Sequence, residues 1–184
     1  MKKEKILARE HHKNRPDLAG EHVFGDLGQL ILLIIFLAVW IADSFFLHYS
    51  TYFSGLIPLY LKIALGVIIF IISGYLAQSG LRVVFGEVRE EPIVIRDGVF
   101  GWMRHPIYLG AILFYVGLLI FSLSGLALLI WLIIIAFYHW LARHEERLLL
   151  EKFGVDYQKY VQEVPMWIPW IRRSTGSFDK KVVT

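Results

Sequence analysis

Two long apolar stretches constrain this chain more than any other feature of its sequence. Residues 27–47 contain one charged side chain, Asp43 near the far end, and residues 56–77 contain one, Lys62 near the start. A helix of about 20 apolar residues crosses a bilayer, and it satisfies its own backbone polar groups while doing so. With 57% hydrophobic residues and a mean hydropathy of +0.56, the chain is too apolar for an ordinary soluble domain.

Two shorter apolar stretches follow, at residues 106–121 and 125–141, with only Ser122-Leu123-Ser124 between them. This spacing predicts a tight helical hairpin. The fold class expected is therefore an all-α integral membrane protein with about four transmembrane helices. Beyond the fourth helix, from Leu148 onward, the apolar spacing predicts cytoplasmic interfacial helices, which Gly154 divides into two. Along the chain we expect a polar lead at 1–22, two helices within 23–80, a core at 81–171 and a tail at 172–184.

The positions of the basic residues predict the orientation in the membrane. Lys and Arg crowd the first 15 residues and recur at Arg82, Arg89, Arg96 and Arg104, whereas the loops at 48–55 and 122–124 have none. Because cytoplasmic loops are enriched in Lys and Arg, we expect both termini and the active site to face the cytoplasm. The polar lead has no cleavage site for a signal peptidase, so the first helix should be retained, in a prokaryotic inner membrane or its equivalent. These helix-end residues account for the pI near 9.1, so no nucleic-acid partner is inferred.

A polar functional site is predicted at the start of the hairpin, in the segment Arg104-His105-Pro106-Ile107-Tyr108. Pro106 suits the first turn of a helix, which places His105 near the N-cap. Helix starts bind anions through unpaired N–H groups, and Arg104 adds a full positive charge. An alternative is that Arg104 reaches lipid phosphates and His105 only caps the helix.

Further polar residues stand at the other end of the hairpin. Helical periodicity places Glu145 on one stripe with Leu141 and Leu149, so we expect this glutamate to turn into the bundle as a functional group. For Glu146 an ion-pair network at the helix exit is favoured. The absence of cysteine excludes thiolate catalysis, and no His, Asp or Glu set has metal-ligand spacing. The candidate catalytic residues are Glu145, Arg143 and His139.

An ordered pattern runs through the second half of the chain, and it resembles the isoprenylcysteine carboxyl methyltransferase family and its phospholipid methyltransferase relatives over residues 80–171. The pattern comprises Asp97-Gly98-Val99-Phe100, Arg104-His105-Pro106-Ile107-Tyr108-Leu109-Gly110, Glu145-Glu146, Leu149, Phe153-Gly154, Tyr157, Tyr160, Val164-Pro165 and Ile168-Pro169. The resemblance implies a membrane methyltransferase that uses S-adenosylmethionine and a lipophilic acceptor entering from the bilayer. The residues implied in cofactor binding, with Arg104 added for its charge, are Pro92, Ile93, Val94, Ile95, Phe100, Arg104, His105, Pro106, Ile107, Tyr108 and Glu145.

Two positions depart from this pattern. Leu141 stands where the prenylcysteine enzymes place an arginine for the substrate carboxylate, and Phe100 replaces a tyrosine. The first departure weakens a prenylcysteine substrate and favours, as an alternative, phospholipid N-methylation of the phosphatidylethanolamine type. An amine acceptor must lose a proton, for which Glu145, Glu146 and His139 are candidates. A non-enzymatic alternative is a structural or haem-binding protein that uses His105 with His139 or His144. The sequence leaves the oligomeric state open.

Overall fold

The computed structural model describes residues 23–86 and 93–168; the predicted lead, Pro92 and the predicted tail lie outside these ranges. Within them the chain forms helices and no strand. The five α-helices are α1 (Val23–Ile41), α2 (Leu59–Phe85), α3 (Pro106–Ser122), α4 (Gly125–Phe153) and α5 (Val155–Glu163). Three segments, Gly25–Leu47, Leu59–Phe85 and Gly125–Phe153, are long and apolar enough to cross a membrane, and α3 is a shorter apolar helix. The predicted all-α membrane class is confirmed.

The first predicted span ends in a change of helix type. After α1 the chain continues as a π-helix over Ala42–Leu47 and stops at His48, whose φ is 50°. The change places the Asp43 carboxylate in the protein interior, where the hydroxyls of Ser50 and Ser124 both donate to it. Since Ser124 is also the N-cap of α4, this acid ties the far end of α1 to the turn of the hairpin.

α2 packs along the whole of α3, and small residues allow the close approach. A Cβ added at Gly110 would lie 2.9 Å from the carbonyl oxygen of Ser73, and the Ser73 hydroxyl donates to the carbonyl of Gly110 at 2.8 Å. Gly66 and Gly80 are likewise closely covered by side chains of α3. Gly74 differs, since the helical period turns it away from α3 and it faces open space.

The predicted hairpin is confirmed, but its second helix is longer than expected. α3 ends at Ser122, and its C-cap Leu123 has a φ of 49°. The Ser124 hydroxyl caps α4 by accepting from the N–H of Ala127 at 3.1 Å. α4 then runs without a break for 29 residues, through the charged positions after 141. Leu, Arg and Glu are good helix formers, and nothing interrupts them before Gly154, whose φ of 53° separates α4 from α5 as predicted.

α1 packs against α4, and α3 lies between α4 and α2. The buried core between the helices is apolar and aromatic; it consists of Phe36, Ile112, Tyr115, Leu119, Ala127, Ile134 and Tyr138. α1 and α2 both lie beside α3, and residues of all three helices line one apolar pocket. This arrangement leaves a groove between them, with α3 as its floor.

Candidate active site

The start of α3 is held in place by the chain that follows α5. The N–H of Arg104 donates to the carbonyl of Pro165 at 3.0 Å, and the N–H of His105 donates to that of Met166 at 3.3 Å. Residues 164–168 are not helical, as predicted from Pro165, so their carbonyls are available to these donors. His105 is the N-cap and Pro106 the first residue of α3, also as predicted.

Arg104 and Glu146 form a buried ion pair. The Arg104 Nε lies 2.7 Å from Glu146 Oε1, and their side chains are only 8% and 10% exposed. The Arg104 Nη1 also donates to the carbonyls of Val161 and Val164, at 2.8 and 2.7 Å, where α5 ends. The ion-pair network expected for Glu146 at the helix exit is present only as a distant contact with Arg143 at 3.9 Å. The main partner is Arg104, whose burial beside α4 requires a carboxylate there. The charge of Arg104 is largely neutralised and is not available to lipid phosphates.

His105 lies between two carboxylates. Its Nδ1 is 3.5 Å from Glu145 Oε2, and its Nε2 is 3.3 Å from Glu146 Oε1. Burial lowers the pKa of His105, but the hydrogen bonds and charges of Glu145 and Glu146 outweigh burial and raise the pKa above its usual value. An imidazolium here, together with Arg104, balances the two acids.

Glu145 differs from Glu146 because it remains partly accessible. Its Oε1 accepts a hydrogen bond from the Tyr108 hydroxyl at 2.8 Å, and its side chain is 24% exposed. The ring of Tyr108 lies parallel to that of His105, with centroids 5.6 Å apart. His105 and Tyr108 thus fix this carboxylate from two sides while one side stays open.

The open side of Glu145 faces a cavity of about 350 Å³, within the range of small-molecule sites. Every residue predicted to bind a cofactor lines this cavity, apart from Pro92, which is not described. These residues are Ile93, Val94, Ile95, Phe100, Arg104, His105, Pro106, Ile107, Tyr108 and Glu145. α5 closes one wall of the cavity, because the buried Tyr160 donates its hydroxyl to the carbonyl of Phe100 at 2.7 Å.

Two of the predicted catalytic residues do not reach the cavity. Arg143 is 66% exposed and approaches only the far oxygen of Glu146, at 3.9 Å. The Nδ1 of His139 accepts from the indole N–H of Trp167 at 3.3 Å. The haem alternative also loses support, because both ring nitrogens of His105 already face carboxylates.

The cavity also has lining residues that the sequence analysis did not assign to cofactor binding. Asp26 and Gln29 come from α1, which carries no recognised motif. Leu141 lines the wall below Glu145, at the position of the departure from the prenylcysteine pattern. Tyr157 and Tyr160, which belong to the ordered pattern in the second half of the chain, line another wall, and their spacing was a usable signal for it. The remaining lining residues are Gly25, Val84, Phe85, Leu149 and Phe153.

The chain is similar to known methyltransferases over about half of its length. The chain is 30% identical over 95 residues to the protein-S-isoprenylcysteine O-methyltransferase of Saccharomyces cerevisiae, covering 51% of this chain and 40% of the yeast protein. It is 30% identical over 96 residues to the Homo sapiens enzyme of the same name, covering 50% of this chain and 32% of the human protein. The match thus spans less than half the length of these relatives. The phospholipid methyltransferase family matches residues 50–156, more than half of the chain, and the chain belongs to this family.

Proposed function

We propose that this protein is an integral-membrane methyltransferase that transfers a methyl group from S-adenosylmethionine to a lipophilic acceptor. The observation that carries the proposal is the convergence of ten predicted cofactor residues on one cavity beside the membrane helices. The relatives named above are O-methyltransferases of isoprenylcysteine, which gives the reaction class.

The lining of the cavity fits the methyl donor in chemistry. Glu145 offers a carboxylate for an ammonium or ribose hydroxyl, and the N-terminus of α3 favours a carboxylate. The charges of Arg104 and His105 are already balanced by Glu146 and Glu145. Apolar side chains from two separate segments, Ile93 to Ile95 and Phe153, provide a surface for an adenine ring. When bound, the donor supplies a methyl group activated on a sulfonium. A carboxylate beside that cation and aromatic faces such as Phe100 and Tyr108 would stabilise it.

The catalytic contribution of the chain is positioning and exclusion of water. Holding two reactants in line supplies most of the rate enhancement in such transfers, and the wall made by α5 shields the reaction from water. Glu145 can also accept a proton from an acceptor, because it is accessible from the cavity. Glu146 is committed to Arg104 and His105, and His139 lies outside the cavity, so neither suits that role.

We further propose that the cavity opens to the cytoplasmic side of a multi-pass protein. The basic residues at the ends of α2 and before α3 stand at this end of the bundle, whereas the loops at the opposite end carry no Lys or Arg. The core at 81–171 would then hold the donor, and residues 23–80 would complete the membrane bundle around it.

The experiment that tests the proposal is calorimetric binding of S-adenosylhomocysteine to the detergent-purified full chain. We expect micromolar binding, and Glu145→Ala should weaken it at least about tenfold, because a hydrogen bond to a charged group contributes roughly 1.5–3 kcal/mol. Glu151→Ala, an exposed glutamate on the same helix, is the matched control and should bind normally. A well-folded protein that binds no S-adenosylhomocysteine would refute the proposal.

A further inference from the structure

The loop that joins α1 to α2 exposes an apolar surface at the end of the bundle away from the cavity. We call residues 45–60 the distal loop; it includes a short 3₁₀-helix at Tyr52–Leu56. Between Asp43 and Lys62 the sequence has no Asp, Glu, Lys or Arg. The side chains that are each at least 68% exposed include Phe46, Leu47, Tyr49, Tyr52, Leu56 and Tyr60. Because large exposed apolar patches mark contact with a partner or a membrane, this surface requires a covering.

The charge that precedes the distal loop faces into the protein and holds the first half of the loop. Asp43 is buried; it accepts from the N–H of Ser50 at 3.0 Å and from the hydroxyl of the same residue. The carbonyl of Ser50 accepts in turn from the N–H of Gly125 at 3.2 Å. Because a buried carboxylate requires donors that stay in place, Ser50 fixes this half of the loop against α1 and the start of α4.

The charge that follows the distal loop holds the second half. Lys62 lies near the start of α2 and is buried. Its Nζ donates to the carbonyl of Ser54 and to the hydroxyl of Ser54, the latter at 2.7 Å, and Ser54 belongs to the 3₁₀-helix. Since hydrogen bonds from a charged donor are stronger than neutral ones, this contact fixes the 3₁₀-helix on α2.

The distal loop therefore has the reverse polarity of a loop in water. These polar contacts are directed to the protein, and the aromatic and aliphatic side chains are directed outward. The exposed apolar flanks of the helices continue into the loop, since Ile41 at the end of α1 and Leu61 at the start of α2 are each 42% exposed. Tyr49, Tyr52 and Tyr60 combine an apolar ring with a polar hydroxyl, the type of side chain that is enriched at membrane–water interfaces.

We propose that the distal loop is a membrane anchor, which lies in the interfacial layer of the leaflet opposite the cavity and is held there by Asp43 and Lys62. Phospholipid covers the surface rather than a second copy of the chain, because the surface is continuous with the flanks of α1 and α2. It also offers no charged group for complementarity with a protein partner. The anchor fixes how deeply the bundle sits in the bilayer. This role is independent of the methyl transfer proposed above.

The absence of cysteine from the chain makes spin labelling a direct test. The full-length variants Phe46→Cys and Tyr52→Cys are labelled with a nitroxide and reconstituted into vesicles of dioleoylphosphatidylcholine. Power saturation then measures collisions of the label with molecular oxygen, which concentrates in the bilayer, and with a water-soluble nickel chelate. Ile71→Cys, on the exposed face of α2, is the control for lipid, and Asp156→Cys, on the exposed face of α5, is the control for water. We expect both loop labels to lose collisions with the nickel chelate relative to Asp156→Cys and to favour oxygen, as Ile71→Cys does.

A second measurement tests how the loop is held. In the Tyr52→Cys background, Lys62→Met removes the donor to Ser54 and should raise the mobility of the label, seen as narrower spectral lines. Ser54→Ala should raise the mobility less, because the carbonyl of Ser54 still accepts from Lys62. Lys159→Met, which removes an exposed lysine on α5, is the matched control and should leave the line width unchanged.

Three results would overturn the proposal. Labels in Phe46→Cys and Tyr52→Cys that collide mainly with the nickel chelate would place the loop in water. Labels that are shielded from both reagents would show that protein covers the loop, and dipolar broadening of their spectra would identify that protein as a second copy of the chain. Line widths that change in neither Lys62→Met nor Ser54→Ala would show that Lys62 does not hold the loop.

Discussion

Two arginines approach the same carboxylate, and they should differ sharply in their contribution to stability. Arg104 and Glu146 are both about nine-tenths buried, at 2.7 Å, whereas Arg143 is mostly exposed at 3.9 Å. Removing one partner of a buried pair costs about 3–5 kcal/mol. Glu146 keeps His105 at 3.3 Å, so we expect Arg104→Met to lower the free energy of unfolding by about 3 kcal/mol, the lower end of that range. Arg143→Met should cost less than about 1 kcal/mol.

The measurement is reversible unfolding of the purified protein by titration with sodium dodecyl sulfate in mixed micelles, followed by tryptophan fluorescence. A double-mutant cycle adds Glu146→Met and the Arg104→Met/Glu146→Met pair. Because the double variant buries no unpaired charge at this position, its cost should fall short of the sum of the single costs by about 2 kcal/mol. The carbonyls of Val161 and Val164 lose their hydrogen bonds from Arg104 in the single and the double variant, so the double variant should still be less stable than the unmodified protein.

Two results would refute this reasoning. If Arg143→Met destabilised the protein as much as Arg104→Met, burial would not govern the strength of these pairs. If the costs of Arg104→Met and Glu146→Met were additive within about 0.5 kcal/mol, the two side chains would not be coupled in the folded protein.

Three further predictions follow from the contacts. The raised pKa of His105 means that the protonated side chain stabilises the fold fully below about pH 6.5, the usual pKa, and that this stabilisation is lost as pH rises through the raised pKa. The thermal unfolding midpoint should therefore fall from neutral to alkaline pH. The fall should be smaller in Glu146→Gln. Gly110→Ala should lower the free energy of unfolding, measured by the same titration, by about 1–3 kcal/mol, because the added methyl group overpacks against Ser73. Gly74→Ala should leave the free energy of unfolding unchanged or raise it, because its methyl group contacts nothing. Asp43→Asn should cost about 1.5–3 kcal/mol, because its serine partners donate to a charged acceptor; an unchanged unfolding midpoint would argue against that contact.

Much of the fold could be predicted from local sequence signals. The apolar lengths, Pro106 and Gly154 specify the helices, the start of the hairpin and the break before α5. The expected end of the fourth helix among the charged residues near Glu146 was too early, because hydropathy reports where lipid ends, whereas a helix ends only where its backbone is interrupted. The π-helix at Ala42–Leu47 has no such signal. It depends on Asp43 reaching two serines, one of which lies 81 positions away.

The lining residues named from the resemblance could also be predicted, because all of them except Glu145 lie at the start of α3 or in the segment before it. The contribution of α1 could not. Asp26 and Gln29 stand alone in the sequence, and only the packing of α1 on α4 brings them to the cavity. Long-range placement of this kind leaves no periodic trace in a single sequence.

The adjacent acids Glu145 and Glu146 show where periodicity is informative and where it is not. Successive residues of a helix point about 100° apart, so these two side chains must face different surroundings. Leu141, Glu145 and Leu149 share one stripe of α4, and all three line the cavity. The helical period also fixed the direction in which Glu146 points, but the sequence could not show that Arg104 would lie on that side. The role of a glutamate adjacent to a cavity-lining residue therefore depends on which cation the later part of the chain buries beside it. Here Arg104 is brought there by the chain after α5, and that chain also closes the cavity in front of Glu145.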